Sequence, residues 1–461
     1  MAPNTESIEL ETNNSFNPRI RSSHPQRDGG AEMEREATDE TDVQGQSFSS
    51  LPPVDRGKDA YLFLAAAFWM ELLVWGFPFA YGVFQSYYMS HPPFSSHPAN
   101  ISVIGTSAMG IMYMSSPAIF PVLQRYPQTK RPAIALGLVT MCLSLGLSSL
   151  CNTVGGLIAT QGVLYAIGGT LAYNPVILGV DEWFVRRKGR AFGAMWAGTG
   201  LGGVIIPLLL QSLLTKYGFR NTLRIWAVVL FASTVPLTLF LKSRIPTSRT
   251  MHRRTLNLSF LRTPTFLLLQ TGNILEGLGY FIPSIYLPTY ALTIGASASL
   301  STLPVVLFNV TSVFGCVLMG LIIDRWHVST CILISTLGST LSIFLLWGFS
   351  SRIPTLLVFS AVYGLFAGCW SSTYPGVVRA VKSSMPGVDT DVDGMMVLAT
   401  LGVGRGIGNL VSGPVSEALV KGGRMGGYAG YGGTYGPLVV FTGVSAFCGG
   451  IGVLGWRSGR M

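Results

Sequence analysis

Charge is the scarcest ingredient of this chain. Asp, Glu, Lys and Arg make up 11% of its residues, against about a quarter in ordinary soluble domains, so a water-facing globular surface is a poor fit to this composition. Histidine is rarer still, with five in all. No H-E-x-x-H, G-x-S-x-G or Walker phosphate loop occurs, which leaves metalloprotease, serine-hydrolase and nucleotide-driven chemistry without their residues. The six cysteines (Cys142, Cys151, Cys316, Cys331, Cys369, Cys448) lie within or beside apolar segments and show no C-x-x-C spacing. Neither a zinc site nor a disulfide framework is implied, and no metal or cofactor is expected.

Long apolar runs fill the space that charge leaves. From Asp59 onward the sequence reads as twelve spans of about 20 residues, the length needed to cross a bilayer core. They fall near 61–88, 101–123, 131–151, 154–180, 191–214 and 221–241, then 264–293, 300–323, 328–349, 354–380, 394–420 and 437–456. Residues 1–55 are polar, lack a signal-like apolar run and are expected to be a disordered tail. The net charge of +10 does not point to nucleic acid, because the cations sit between the spans. Arg125, Lys130, Arg131, the cluster Arg186 to Arg190, Lys242, Arg244, Arg249, Arg253, Arg254, Arg262, Arg325, Arg379, Lys382, Arg457 and Arg460 fall in one set of connecting segments. Only Lys216, Arg220, Arg352, Lys421 and Arg424 fall in the other. The richer side is expected in the cytosol, with both termini. Asn100 heads an N-x-S sequon in the first loop on the opposite side, which makes it the candidate glycosylation site.

The densest information lies at 181–207, D-E-W-F-V-R-R-K-G-R-A-F-G-A-M-W-A-G-T-G-L-G-G-V-I-I-P. Here a cation cluster gives way to an uncharged run of Gly and Ala, as at the basic end of a membrane helix. Gly198, Gly200 and Gly203 also spell G-x-G-x-x-G, but no strand precedes them and the apolar run continues, so close helix packing accounts for them and dinucleotide binding does not. This stretch resembles the helix-four to helix-five signature of the monocarboxylate porter branch of the major facilitator superfamily, in particular its fungal members. W-G-F-P-F-A-Y-G-V-F-Q-S-Y-Y at 75–88, Y-G-F-R-N-T-L-R-I-W-A at 217–227, Y-F-I-P-S-I-Y-L-P-T-Y-A at 280–291 and G-R-G-I-G-N-L-V-S-G-P at 404–414 fit the same pattern. The resemblance implies an all-α membrane protein of twelve transmembrane helices in two six-helix bundles, with a solute site between them. On that reading 56–242 is the first bundle, 243–263 a basic cytosolic linker and 264–461 the second bundle. Pro207 and Pro414, in corresponding spans, support two repeats.

Gly320-Leu-Ile-Ile-Asp324-Arg325 resembles the superfamily's G-x-x-x-D-R loop motif. The likeness implies a conformational latch formed by Gly320, Asp324 and Arg325. The corresponding 120–125 segment lacks both the Gly and the acid. Inside the spans, where a charge costs at least about 2.5–3.5 kcal/mol to insert, stand Glu71, Glu276 and Arg405. They are the candidates for binding solute or moving protons, with Arg405 and Glu276 expected to pair and Glu71 to oppose them. Proton-coupled monocarboxylate porters as a class carry a Lys in helix one and an Asp-Arg pair within helix eight. This chain has no Lys between Ala60 and Tyr88 and no charge in its eighth span before Asp324.

The expected function is secondary-active transport by alternating access. The solute is a small organic molecule, with a carboxylate and protons among the candidate partners, and the setting is a multi-pass position in the plasma membrane. Efflux of a fungal secondary metabolite is the alternative within transport. A non-transporting nutrient sensor on a carrier fold is the alternative outside it, and a chain ending about five residues after its last span argues against that. An enzyme is not expected.

Overall fold

The computed structural model describes residues 51–96, 100–245, 257–385, 392–423 and 425–453. The first 50 residues of the expected tail, and 246–256 of the expected linker, lie outside this set. Among the described residues the structure is helical throughout, with one isolated antiparallel bridge between Met425 and Gly433.

The rods follow in order as α1 Lys58–Ser90, α2 Ile101–Met114 with Ser116–Arg125, α3 Pro127–Ser148 and α4 Val154–Trp183. The continuous run Lys188–Thr238 supplies α5 and α6, divided where Gly218 leaves the helical region at φ 70° and ψ 172°. Only glycine takes that backbone conformation without strain, and the break lets one apolar run turn back as two helices. Then come α7 Pro264–Thr293, α8 Leu303–Ile323, α9 Val328–Trp347, α10 Ile353–Ser383, α11 Gly394–Gly422 and α12 Gly436–Gly449. Eight of these runs are long and apolar enough to cross a membrane, and the pair forming α2, bent by 42°, makes a ninth. The second helix after Gly218, α7 with its Asn273 and Glu276, and the short α12 bring the rods to the twelve the sequence anticipates.

Local chemistry sets the ends. α7 starts where Thr263 accepts the Phe266 N–H at 3.3 Å, with Pro264 in the first turn. α11 starts where Asp393 accepts that of Met395 at 2.9 Å. Both satisfy donors that a helix start leaves free. Pro78, Pro175, Pro283 and Pro288 stand inside α1, α4 and α7, where each removes one backbone donor.

Glycine fixes how α5 packs. A methyl at Gly198 would strike the Phe68 carbonyl of α1, and one at Gly202 would lie 3.0 Å from the Leu72 carbonyl. Five residues before Gly198, about 140° round the helix, Gly193 lies against α8 beside the Cys316 carbonyl and Gly320. Further along, Gly200 and Gly203 continue on α8 against Asn309. One helix is thereby pressed between α1 and α8 and joins the two halves of the chain. A core of Ile282, Tyr290, Trp347, Phe359 and Leu438 is built from the later helices alone.

The limit of the expected tail needs correcting. Asp55 is buried and takes φ 60°. Its carboxylate accepts the backbone N–H groups of Val185, Arg186 and Arg187 at 3.1, 3.0 and 2.9 Å, and its own N–H donates to the Trp183 carbonyl at 3.0 Å. Arg244 reaches the Pro52 carbonyl at 2.9 Å. The segment just before α1 is therefore tied to the α4–α5 turn, because a turn of consecutive free N–H groups is a ready anion seat. Asp55→Ala is expected to lower the stability of the purified protein by about 1–3 kcal/mol, from three orphaned donors. A thermal melt in detergent checks it, and an unchanged melting temperature would mean water replaces the carboxylate at no cost.

Candidate translocation site

The three intramembrane charges are all buried, and they are not treated alike. Arg405 on α11 forms an ion pair with Glu276 on α7, with side chains 3% and 5% exposed. Its guanidinium also lies over the Tyr280 ring, 4.0 Å from the centroid, and 5.4 Å from that of Phe281. Charge and face of the cation are both engaged within the second half.

Glu71 on α1 stands elsewhere. Thr199 of α5 donates to its Oε1, and the Tyr173 hydroxyl of α4 neighbours the carboxyl. Its Oε2 has no hydrogen-bond partner. Among the described residues Glu71 forms no ion pair, and Arg405 pairs with Glu276 alone. Tyr113 of α2 occupies the region between, with both charges in its electrostatic surroundings. A methyl at Gly406 of α11 would sit 2.7 Å from its Cβ.

Aromatic rings fill the space around these groups. Trp75, one turn beyond Glu71, packs on Tyr113 at 4.6 Å and on Tyr173 at 5.6 Å between centroids. Phe79 of α1 stacks across the halves on Phe281 of α7 at 6.5 Å. Toward the basic end, Trp196 of α5 donates to the Tyr173 hydroxyl at 3.1 Å and meets the Tyr374 ring of α10 edge-on at 5.8 Å. Asn273 then accepts from Tyr374 at 2.9 Å and Trp370 at 3.2 Å, and donates to the Leu401 carbonyl of α11 at 2.8 Å. Sequence reading passed over Asn273, Tyr113, Tyr173 and Trp196. The first had a signal, an amide inside an apolar span and three residues from Glu276, hence on the same helix face; for the aromatics nothing separates lining from packing.

At the basic end Asp324 of α8 accepts the N–H groups of Gly189 and Arg190, at 2.7 and 3.0 Å, in the first turn of α5. The start of that helix carries partial positive charge and free donors, and so favours an anion. The cations beside Asp324 are Arg190, at 3.7 Å, and Arg379 of α10, at 3.8 Å. Arg325 is exposed, so the basic partner expected from the motif is displaced to another helix. Gly320 permits the approach, since a methyl there would lie 2.5 Å from the Gly189 carbonyl. Asn100 is exposed at the start of α2, at the end opposite Asp324.

Nine apolar spans and three further helices among the described residues, enclosing an ion pair, a carboxyl outside any ion pair and aromatic walls, define a multi-pass membrane carrier, a class in which buried charge marks the solute or ion path. The chain belongs to the Major Facilitator Superfamily, whose family model matches residues 60–386, and it is a transporter. It is similar to the MFS-type transporter pynF of Aspergillus niger, 26% identical over 87% of this chain and 91% of that one. It is also similar to the aspyridones efflux protein apdF of Emericella nidulans, 26% identical over 86% of this chain and 79% of that one. A third relative is the agnestins efflux protein AgnL12 of Paecilomyces divaricatus, 27% identical over 80% of this chain and 84% of that one.

Proposed function

We propose that this transporter exports an aromatic, weakly polar metabolite of a fungal host across the plasma membrane, by alternating access. The observation that carries the reading is the state of Arg405, whose charge is taken by Glu276 and whose face is covered by Tyr280. A carboxylate solute would have to displace a buried partner, whereas an aromatic solute meets Trp75, Tyr113, Phe79 and Phe281 directly. Two relatives named as efflux proteins for fungal products support the direction. The basic end is the cytosolic one on this reading. Asp324 and the start of α5 then hold the cytosolic side closed, and Asn100 faces outward as the glycosylation site. The two six-rod halves, 56–242 and 264–461, move against one another about the α5–α8 contact.

Uptake of monocarboxylates with protons is the second reading. It is favoured by the likeness of the 183–207 segment to that branch and by the presence of one buried guanidinium. Flux in proteoliposomes separates the two. Labelled aromatic lactams and labelled lactate and pyruvate are offered with and without a proton gradient. Movement of the lactams, unaffected by excess lactate, is the expected result; gradient-driven accumulation of lactate or pyruvate alone would overturn it.

A further inference from the structure

The two halves repeat one another closely enough to show what the first lacks. Glu71, Trp75 and Pro78 of α1 recur in α7 as Glu276, Tyr280 and Pro283, at the same mutual spacing. Gly198 stands as far ahead of Pro207 in α5 as Arg405 stands ahead of Pro414 in α11. In the second half, then, Arg405 answers the carboxyl and covers the ring. In the first half glycine occupies that position, with its would-be Cβ 3.2 Å from the Glu71 Cβ. No cation is supplied there: Thr199 serves one oxygen of the carboxyl and Tyr113 packs on the Trp75 ring.

Two polar atoms are left open as a result. Glu71 Oε2 and Trp75 Nε1 are both buried and both without a hydrogen-bond partner. They belong to residues one helical turn apart, about 6 Å along the axis; the Tyr173 ring packs on Trp75, and its hydroxyl, which accepts from Trp196, lies within hydrogen-bonding reach of the Glu71 carboxyl. The carboxyl oxygen can accept, and the indole nitrogen can only donate. Thr336 and Thr340 of α9 are also a turn apart and unpartnered, but hydroxyls can swing to a nearby carbonyl. Among the described residues the polar and titratable groups around Glu71 are Thr199, Tyr173, Tyr113 and Cys316, none of them a cation.

We propose that Glu71 and Trp75 form the solute's polar docking pair, and that the solute is an aromatic molecule carrying an N–H or O–H donor beside a carbonyl acceptor, as in a lactam or an enolised ketone. The donor goes to the carboxyl, the carbonyl receives the indole N–H, and the ring lies among Tyr113 and Tyr173. The inference rests on the export reading above and narrows its solute.

Equilibrium dialysis of the purified full-length transporter with three labelled probes tests it. 2-Quinolone offers the donor–acceptor pair on an aromatic ring, N-methyl-2-quinolone lacks the donor, and 2-naphthoate offers a carboxylate. Wild-type protein is expected to hold 2-quinolone about tenfold more tightly than its N-methyl form, the scale of one or two buried hydrogen bonds. Trp75→Phe, which keeps a ring in place, should weaken 2-quinolone about tenfold. Glu71→Leu should abolish the difference between the two quinolones, with thermal melts confirming that both variants are folded. Equal binding of the two quinolones by wild type, or undiminished binding by Trp75→Phe, would overturn the docking pair while leaving an aromatic exporter standing. No binding of either quinolone would likewise overturn the docking pair, and tightest binding of 2-naphthoate would overturn the weakly polar solute class on which the export reading rests.

Discussion

Arg405→Leu is expected to destabilise the folded transporter by about 3–5 kcal/mol and to remove most of it from the membrane fraction. That is the usual cost of leaving one member of a buried ion pair without the other. Glu276, 5% exposed, would face Tyr280 and apolar neighbours with no counter-charge. The sign reverses when both partners go. Arg405→Leu combined with Glu276→Gln leaves no uncompensated charge, and apolar replacement of a buried pair is often neutral or better. The double variant should regain its melting temperature and carry aromatic solutes within an order of magnitude of wild type. Recovery of fold without recovery of transport would instead make the pair part of the solute path. Quantifying folded protein by detergent extraction before measuring flux keeps the two results apart.

How much of this was legible in the sequence depended on whether a residue's role is fixed by the chain nearby. Most span positions follow from hydropathy, and α4, α8 and α11 lie close to their expected limits. The meeting of Arg405 with Glu276 was legible too, because two opposite charges in apolar spans have few other ways to exist. Long-range capping was not. Asp55 reads as the end of a polar tail, and its three N–H partners lie at 185–187, in a turn whose free donors are a property of the fold. Arg379 replaces Arg325 beside Asp324 for the same reason: the motif names a local pair, while geometry selects the cation that α10 delivers. The glycines show both cases at once. Their density announced close packing, but that Gly198 meets α1 while Gly200 and Gly203 meet α8 depends on how α5 is turned between its neighbours.

Gly193→Ala is expected to hold the basic end open and reduce transport at least about tenfold, equivalent to ~1.4 kcal/mol. The added methyl would sit 2.5 Å from the Cys316 carbonyl and 2.9 Å from the Gly320 Cα. Those are backbone atoms of a continuous helix and cannot turn aside as a side chain would. The α5–α8 contact must separate instead, and with it goes the register in which Asp324 accepts from Gly189 and Arg190. Each half keeps its own packing, since the Gly198–Phe68 contact with α1 is on another face of α5. The loss should therefore appear in transport and in conformation, and not in the amount of folded protein. Spin labels at Val185→Cys and Arg325→Cys, exposed positions on the two halves, report it in a background whose native cysteines, free and in part accessible, are replaced by serine. Their separation should lengthen in Gly193→Ala. Gly146→Ala, where nothing lies within 4 Å, should be neutral or slightly stabilising, because alanine is the better helix former. Unchanged label separation with normal flux in Gly193→Ala would show that carriage does not pass through closure at this contact.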